Sequence, residues 1–148
     1  MMADRLSAMV AAVLLAVHAG LALWGLAGVV ELLVDEPPWP RLSNPLFELP
    51  VLVAQWALVL LAASVFIAGY LARWPRLPAA MAAVYAAMAA LCAFETFTIL
   101  RHPDRFLDMA LEYATYVAII VFLSRAPAMR RRFVAGDPHS SSLSERRR

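Results

Sequence analysis

The chain has 148 residues, 63% of them hydrophobic and 16% charged, with a mean hydropathy of +0.70. That composition lies outside the range of soluble globular domains and reads as a membrane protein. The formal charge of +2 comes from 13 arginines, with no lysine, and seven of these lie at or after Arg125, so the excess is a basic end beside a span and not a folded basic face; this argues against a nucleic-acid partner.

Taken in chain order, the first apolar run covers residues 6–33, with His18 as the only ionisable group before Glu31. About 20 apolar residues cover the roughly 30 Å hydrocarbon core, so this run predicts a first transmembrane helix. It exceeds the about 7 to 15 apolar residues of a removable signal peptide and predicts an uncleaved anchor. A loop with Asp35, Glu36, Trp39, Arg41 and Glu48 follows. Pro50 opens a second span over 50–72, which contains Gln55 and Ser64, and Pro78 opens a third over 78–100 with Glu95 near its end. Proline is tolerated in a first helical turn. The fourth span covers 106–125 and carries Asp108 and Glu112 near its start. Cys92, the single cysteine, lies in an apolar run and excludes both an intramolecular disulfide and a cysteine-rich metal site.

Short links at 73–77 and 101–105 make sequence neighbours antiparallel partners. Residues 1–128 therefore read as one all-α domain, an antiparallel four-transmembrane-helix bundle. Residues 129–148 hold too little apolar surface to fold alone and read as a disordered basic cytoplasmic tail. With both termini inside, ten arginines lie on the cytoplasmic side and three on the other, the distribution that the positive-inside rule requires. The expected location is a bacterial inner membrane, crossed four times.

Membrane helices associate through close van der Waals contact, which small residues four apart permit. Each span has such a ladder: Ala8, Ala12, Ala16 and Gly20; Ser64, Ala68 and Ala72; Ala82, Ala86 and Ala90; Ala110, Ala114 and Ala118. These are the expected seams.

The acidic side chains gather at the outer face. Glu31, Asp35, Glu36 and Glu48 flank the first loop, and Asp104, Asp108 and Glu112 enter the fourth span from the same side. At about 1.5 Å rise per residue, Glu95 lies roughly 9 Å below Arg101 and Glu112 roughly 10 Å below Arg105. The two carboxylates are thus matched in depth, and Asp108 shares a helix face with Glu112. Charges below the interface cost about 2.5 to 3.5 kcal/mol on insertion scales and face a bundle interior or a wet cavity. Two carboxylates in one cavity do not both ionise cheaply, so one is expected to hold a proton or to meet Arg41, Arg101, Arg105 or His102. Three uses remain open: interfacial ion pairs, a proton or cation site, and a polar lining for the head group of a hydrophobic ligand. His18 reads as a packing contact, with a ligand or relay role as the alternative, and Gln55, Tyr85, Tyr113 and Tyr116 are further polar groups that can meet in the core. No catalytic motif, metal-binding spacing or phosphate loop combines these residues, so the sequence gives no support for an enzyme, names no cofactor and predicts no metal.

The four-span layout, the loop of about 16 residues after the first span and Gly69-Tyr70-Leu71-Ala72-Arg73 closing the second span before an alanine-rich third resemble the DoxX-like group of small membrane proteins. That resemblance implies varied roles, some as subunits of membrane redox systems. Glu36-Pro37-Pro38-Trp39, Phe47-Glu48-Leu49 and Tyr113-Ala114-Thr115-Tyr116 are similar to segments of the family of emopamil-binding protein and the sigma-2 receptor, which implies a sterol-like ligand in an intrabundle pocket. The third span has no histidine, which the isomerases of that family would be expected to carry. The sequence therefore points first to a protein that binds a lipid, quinone or sterol-like molecule or serves as an accessory beside a partner membrane subunit. A small proton- or cation-coupled transporter comes second, and a sterol-type isomerase third.

Overall fold

The computed structural model describes residues 2–34 and 36–134. The described chain is helical: α1 (Met2–Leu33), α2 (Leu49–Leu71), α3 (Leu77–Phe94, continued by a π turn at Glu95–Ile99), α4 (Arg105–Arg125) and α5 (Pro127–Val134). The first four are long and apolar enough to cross a membrane, each over the run expected from its composition. Residues 127–134 form the short helix α5. Met129 and Phe133 are four apart on α5 and both buried, so this short stretch has enough apolar surface to dock although it could not fold alone. Residues 135–148 lie outside the described part.

Local chemistry explains the helix ends. Pro50 and Pro78 sit in the first turns of α2 and α3, where a missing backbone N–H costs nothing. Arg73 ends α2 in the left-handed region at φ 54°. The Trp74 N–H donates to the Gly69 carbonyl at 2.9 Å and the Arg73 N–H to that of Tyr70 at 3.3 Å, which closes the helix with a double backbone bond. This tight turn sets α3 beside α2.

The packing follows chain order. Helix α1 lies on α2, α2 on α3 and α3 on α4, and α5 returns to touch both α4 and α1. Among the described residues, the backbones of α1 and α4 do not approach each other. The core gathers at the end of the bundle formed by the start of α1, the α2–α3 turn, the end of α4 and α5. Here Ala11, Phe66, Leu77, Met81, Tyr85, Leu123, Met129 and Phe133 form one buried cluster. Arg131 of α5 pairs with Asp4. Arg132 donates to the Tyr70 carbonyl at 3.1 Å and lies 4.1 Å over the Tyr70 ring. We refer to this as the terminal end and to the opposite one, which carries the α1–α2 loop and the α3–α4 link, as the loop end.

The small-residue ladders do not form the seams. All their members are exposed except the half-buried Ala82. The buried face of α1 instead runs through Ala11, His18 and Gly25 at heptad spacing, with Gly28 one turn on. Gly28 permits the closest approach, because a Cβ there would overlap the ring of Trp56, which is fully buried. Trp24 packs edge-on against the same indole, with ring centroids 5.0 Å apart. Large interdigitated side chains gain more dispersion contact than facing alanines, so the helices pair along rows that hold Trp56, Phe66 and Met81.

Gly28→Ala should therefore destabilise the protein by about 1 to 3 kcal/mol through overpacking. Gly20→Ala, where a Cβ meets nothing within 4 Å, should leave the thermal transition in detergent unchanged or raise it. Equal transitions for the two variants would show that Trp56 is not seated against α1.

Candidate functional site

His18 lies midway along α1 and is 1% exposed. Its Nδ1 is 2.7 Å from the Leu14 carbonyl oxygen, which only accepts, so Nδ1 carries a proton. In the neutral ring Nε2 is then the acceptor, and the Tyr85 hydroxyl, 2.9 Å away, donates to it. The imidazole stacks on Phe66 with centroids 3.8 Å apart. With both nitrogens bonded and its face covered, His18 serves as a pin between α1 and α3. Tyr85 in turn stacks on Tyr116, centroids 4.6 Å apart, and the Tyr116 hydroxyl donates to Glu112 Oε1.

Tyr116, at the end of this row of rings, lines a cavity of about 280 Å³ that extends toward the loop end. Helix α1 contributes Leu21 and Trp24, α2 contributes Gln55, Leu58 and Val59, α3 and its π turn contribute Met88, Leu91, Cys92 and Glu95, and α4 contributes Glu112 and Tyr116. The π turn begins at Glu95, with the Leu100 N–H bonded to the Glu95 carbonyl at 2.8 Å. Such wide turns recur at functional sites because they re-aim side chains out of the α-helical register.

Among the described residues, Glu95 Oε1 and Gln55 Oε1, on two side chains that line this cavity, are buried without a hydrogen-bond partner. Leaving a buried polar atom unpaired costs about 1 to 3 kcal/mol. Among the described residues no salt bridge joins Arg101 or Arg105 to Glu95 or Glu112. The two guanidinium groups instead bond nearby backbone, Arg101 donating to the Thr98 carbonyl of the π turn and Arg105 to the His102 carbonyl of the link, both at 3.2 Å. Arg105 also lies 4.5 Å over the Phe106 ring. The arginines therefore do not neutralise the deep carboxylates: backbone carbonyls close in sequence are nearer partners.

The other expected residues are spread around this centre. Asp108 is exposed, 3.9 Å from His102 and outside the cavity wall. Glu48 is exposed beside a separate hollow near Phe94 and Thr98, and Arg41 borders another with Ser43 and Phe47. The Tyr113 hydroxyl donates to the Ala89 carbonyl at 2.6 Å and ties α4 to α3. The cavity thus gathers Glu95, Glu112, Gln55 and Tyr116, while His18 lies beneath it.

Sequence reasoning missed Trp24 and Cys92 as wall residues, and the clasp above them. Glu31 Oε2 accepts the backbone N–H groups of Leu42 and Ser43 at 3.0 Å and the Ser43 hydroxyl at 3.1 Å. Ser43 Oγ accepts from Trp56 Nε1 at 3.3 Å. One carboxylate thereby fixes the loop over the indole against which Trp24 packs. The only trace of this in the sequence is an acid at the end of an apolar run.

Tyr85→Phe should lower stability by about 1 to 3 kcal/mol, because it leaves His18 Nε2 buried and unpaired. Tyr113→Phe should cost less, since the Ala89 carbonyl it frees lies within α3 and keeps its helical bond. The comparison is read from thermal unfolding, and equal small losses would remove the His18–Tyr85 bond as the pin between α1 and α3.

Compared with known proteins, the chain matches no family model, no curated protein and no solved structure.

Proposed function

We propose that this chain is a multi-pass protein of a bacterial inner membrane that holds a small amphipathic molecule in the loop-end cavity, as a binding or accessory component of a membrane system. In this reading neighbouring helices are antiparallel, both termini are cytoplasmic and the cavity lies in the outer half of the bilayer. The arginine distribution supports that orientation. The helix pairing supports the alternation, since the start of α1 shares one cluster with the end of α2, the start of α3 and the end of α4.

The observation that carries the function is the pair of unpartnered acceptors, Gln55 Oε1 and Glu95 Oε1, at an otherwise largely apolar cavity. Ligand pockets combine apolar walls with a few placed polar groups that fix orientation. A head group with hydroxyl or amine donors answers both acceptors. An oxidised quinone offers only carbonyl acceptors, which these groups meet only through a protonated Glu95 or the Gln55 NH2. Among lipid, quinone and sterol-like ligands, the site therefore favours those with donors: a lipid alcohol or amine, a hydroquinone or a sterol-like alcohol. The layout shared with the DoxX-like group supports an accessory role beside a partner membrane subunit.

Proton or cation transport is the second reading, supported by Glu95 and Glu112 on one cavity. Against it stands the packed cluster of Phe66, Met81, Tyr85 and Leu123 between the cavity and the terminal end. The isomerase reading falls last, because α3 carries no histidine.

Two measurements test the proposal. Single cysteines in place of Ser43 and Ser140, in a Cys92→Ala background, should label from opposite faces of sealed vesicles, Ser43 from outside, and labelling from one face would overturn the orientation. Adding total membrane lipid extract to the purified protein should raise its thermal transition, and Glu95→Met, which keeps the bulk and removes the acceptors, should lose most of that gain while folding normally. An equal gain for both proteins would remove Glu95 from ligand binding.

A further inference from the structure

We propose that the ligand reaches this cavity sideways from the bilayer, through the gap between α1 and α4 at the loop end, so that its pool is the lipid leaflet and not the aqueous phase. The inference rests on the binding reading above and adds the source of the ligand. Every pair of sequence-adjacent membrane helices is packed backbone to backbone, whereas the α1 and α4 backbones, at the two edges of the row, stay more than 8 Å apart at the Cα atoms among the described residues. Only side chains can span such a spacing, as His18 and Tyr85 do between α1 and α3. At the terminal end this gap is filled: Met129 and Phe133 of α5 enter the buried cluster with Ala11 of α1 and Leu123 of α4. Arg131 and Asp4 fasten the plug from outside.

At the loop end no helix among the described residues plays that part. Leu21 and Trp24 face the cavity from the α1 edge, and Glu112 and Tyr116 from the α4 edge, with α2 and α3 behind. Trp24 is 41% exposed although it lines the cavity, as a residue at a mouth should be. The route to water is obstructed on the α1–α2 side, where Glu31 holds Leu42 and Ser43, and Ser43 is bonded to the Trp56 indole. An apolar wall that opens between two apolar helices and lies under a fastened loop suits a molecule already dissolved in lipid.

The test uses the full chain in vesicles containing phosphatidylcholine with a diazirine midway along one acyl chain. After photolysis, peptide mass spectrometry should find adducts on the wall residues Leu58 and Met88 and on the outward Phe97, which is 64% exposed. Leu21→Trp, which fills the α1 edge of the mouth, should reduce the Leu58 and Met88 adducts severalfold and spare Phe97; Leu21→Phe serves if the larger side chain prevents folding. A charged, water-soluble diazirine should leave both wall residues unmodified. Wall adducts from the aqueous reagent, an absence of lipid adducts at the wall, or adducts indifferent to residue 21 would each overturn the lateral route. Photolabelling requires no bound ligand, so lipid adducts at the wall together with a failed binding test would reject the function and keep the route. Binding with a wall labelled only from water would do the reverse.

Discussion

The close seat of α1 on α2 governs the rest of the molecule. Glycine at 25 and 28 lets the α1 backbone come down on Val59, Leu60 and the Trp56 indole. Among the described residues the α1 and α4 backbones stay farther apart than those of sequence neighbours. In lipid no hydrophobic drive closes such a gap, because an acyl chain is as good a neighbour for leucine as another helix. The bundle fills its terminal end with α5 and leaves its loop end hollow. The hollow is where the two deep carboxylates, Glu95 and Glu112, sit, and their placement follows from the same asymmetry. Glu95 and Glu112 would be costly on a lipid-facing surface, and the cavity is where the row of helices leaves room for them.

Much of this was legible in the residues themselves. Long apolar runs and prolines in first turns located α1 to α4, since length and proline geometry act locally. Matched rise along adjacent helices brought Glu95 and Glu112 to one cavity, with Gln55 and Tyr116 beside them. Helix faces were less legible. Alanine ladders in every span suggested seams, but in an alanine-rich chain that spacing does not distinguish a packed face from an outward one. The discriminating residues were the less frequent ones: Gly28 opposite Trp56, and His18 opposite Tyr85. Their meaning depends on a partner distant in sequence, which one helix cannot display. The same limit hid the Glu31 clasp, whose partners Leu42 and Ser43 approach only once the loop has turned. It also hid α5, whose two buried side chains count as a core only when α1 and α4 supply the remainder.

The two ends of the molecule differ in polar satisfaction as well as in packing. Around His18 the donors and acceptors close into a complete set, from the Leu14 carbonyl to the Tyr85 hydroxyl. Buried polar networks rigidify a core when every member is satisfied. At the cavity, Tyr116 serves Glu112, whereas Gln55 Oε1 and Glu95 Oε1 have no partner among the described residues. A satisfied floor beneath an unsatisfied chamber is the arrangement expected of a rigid scaffold that presents a site, because a site must keep its own hydrogen-bonding capacity for what it binds.

Native mass spectrometry of the chain, extracted in mild detergent from the membrane in which it is made, tests the central claim most directly. One small amphiphile with hydroxyl or amine donors should be bound to each chain, and it should be lost when Met88→Trp fills the cavity. A bare chain mass, or the same mixture of bulk phospholipids on the wild type and on the Met88→Trp variant, would contradict it.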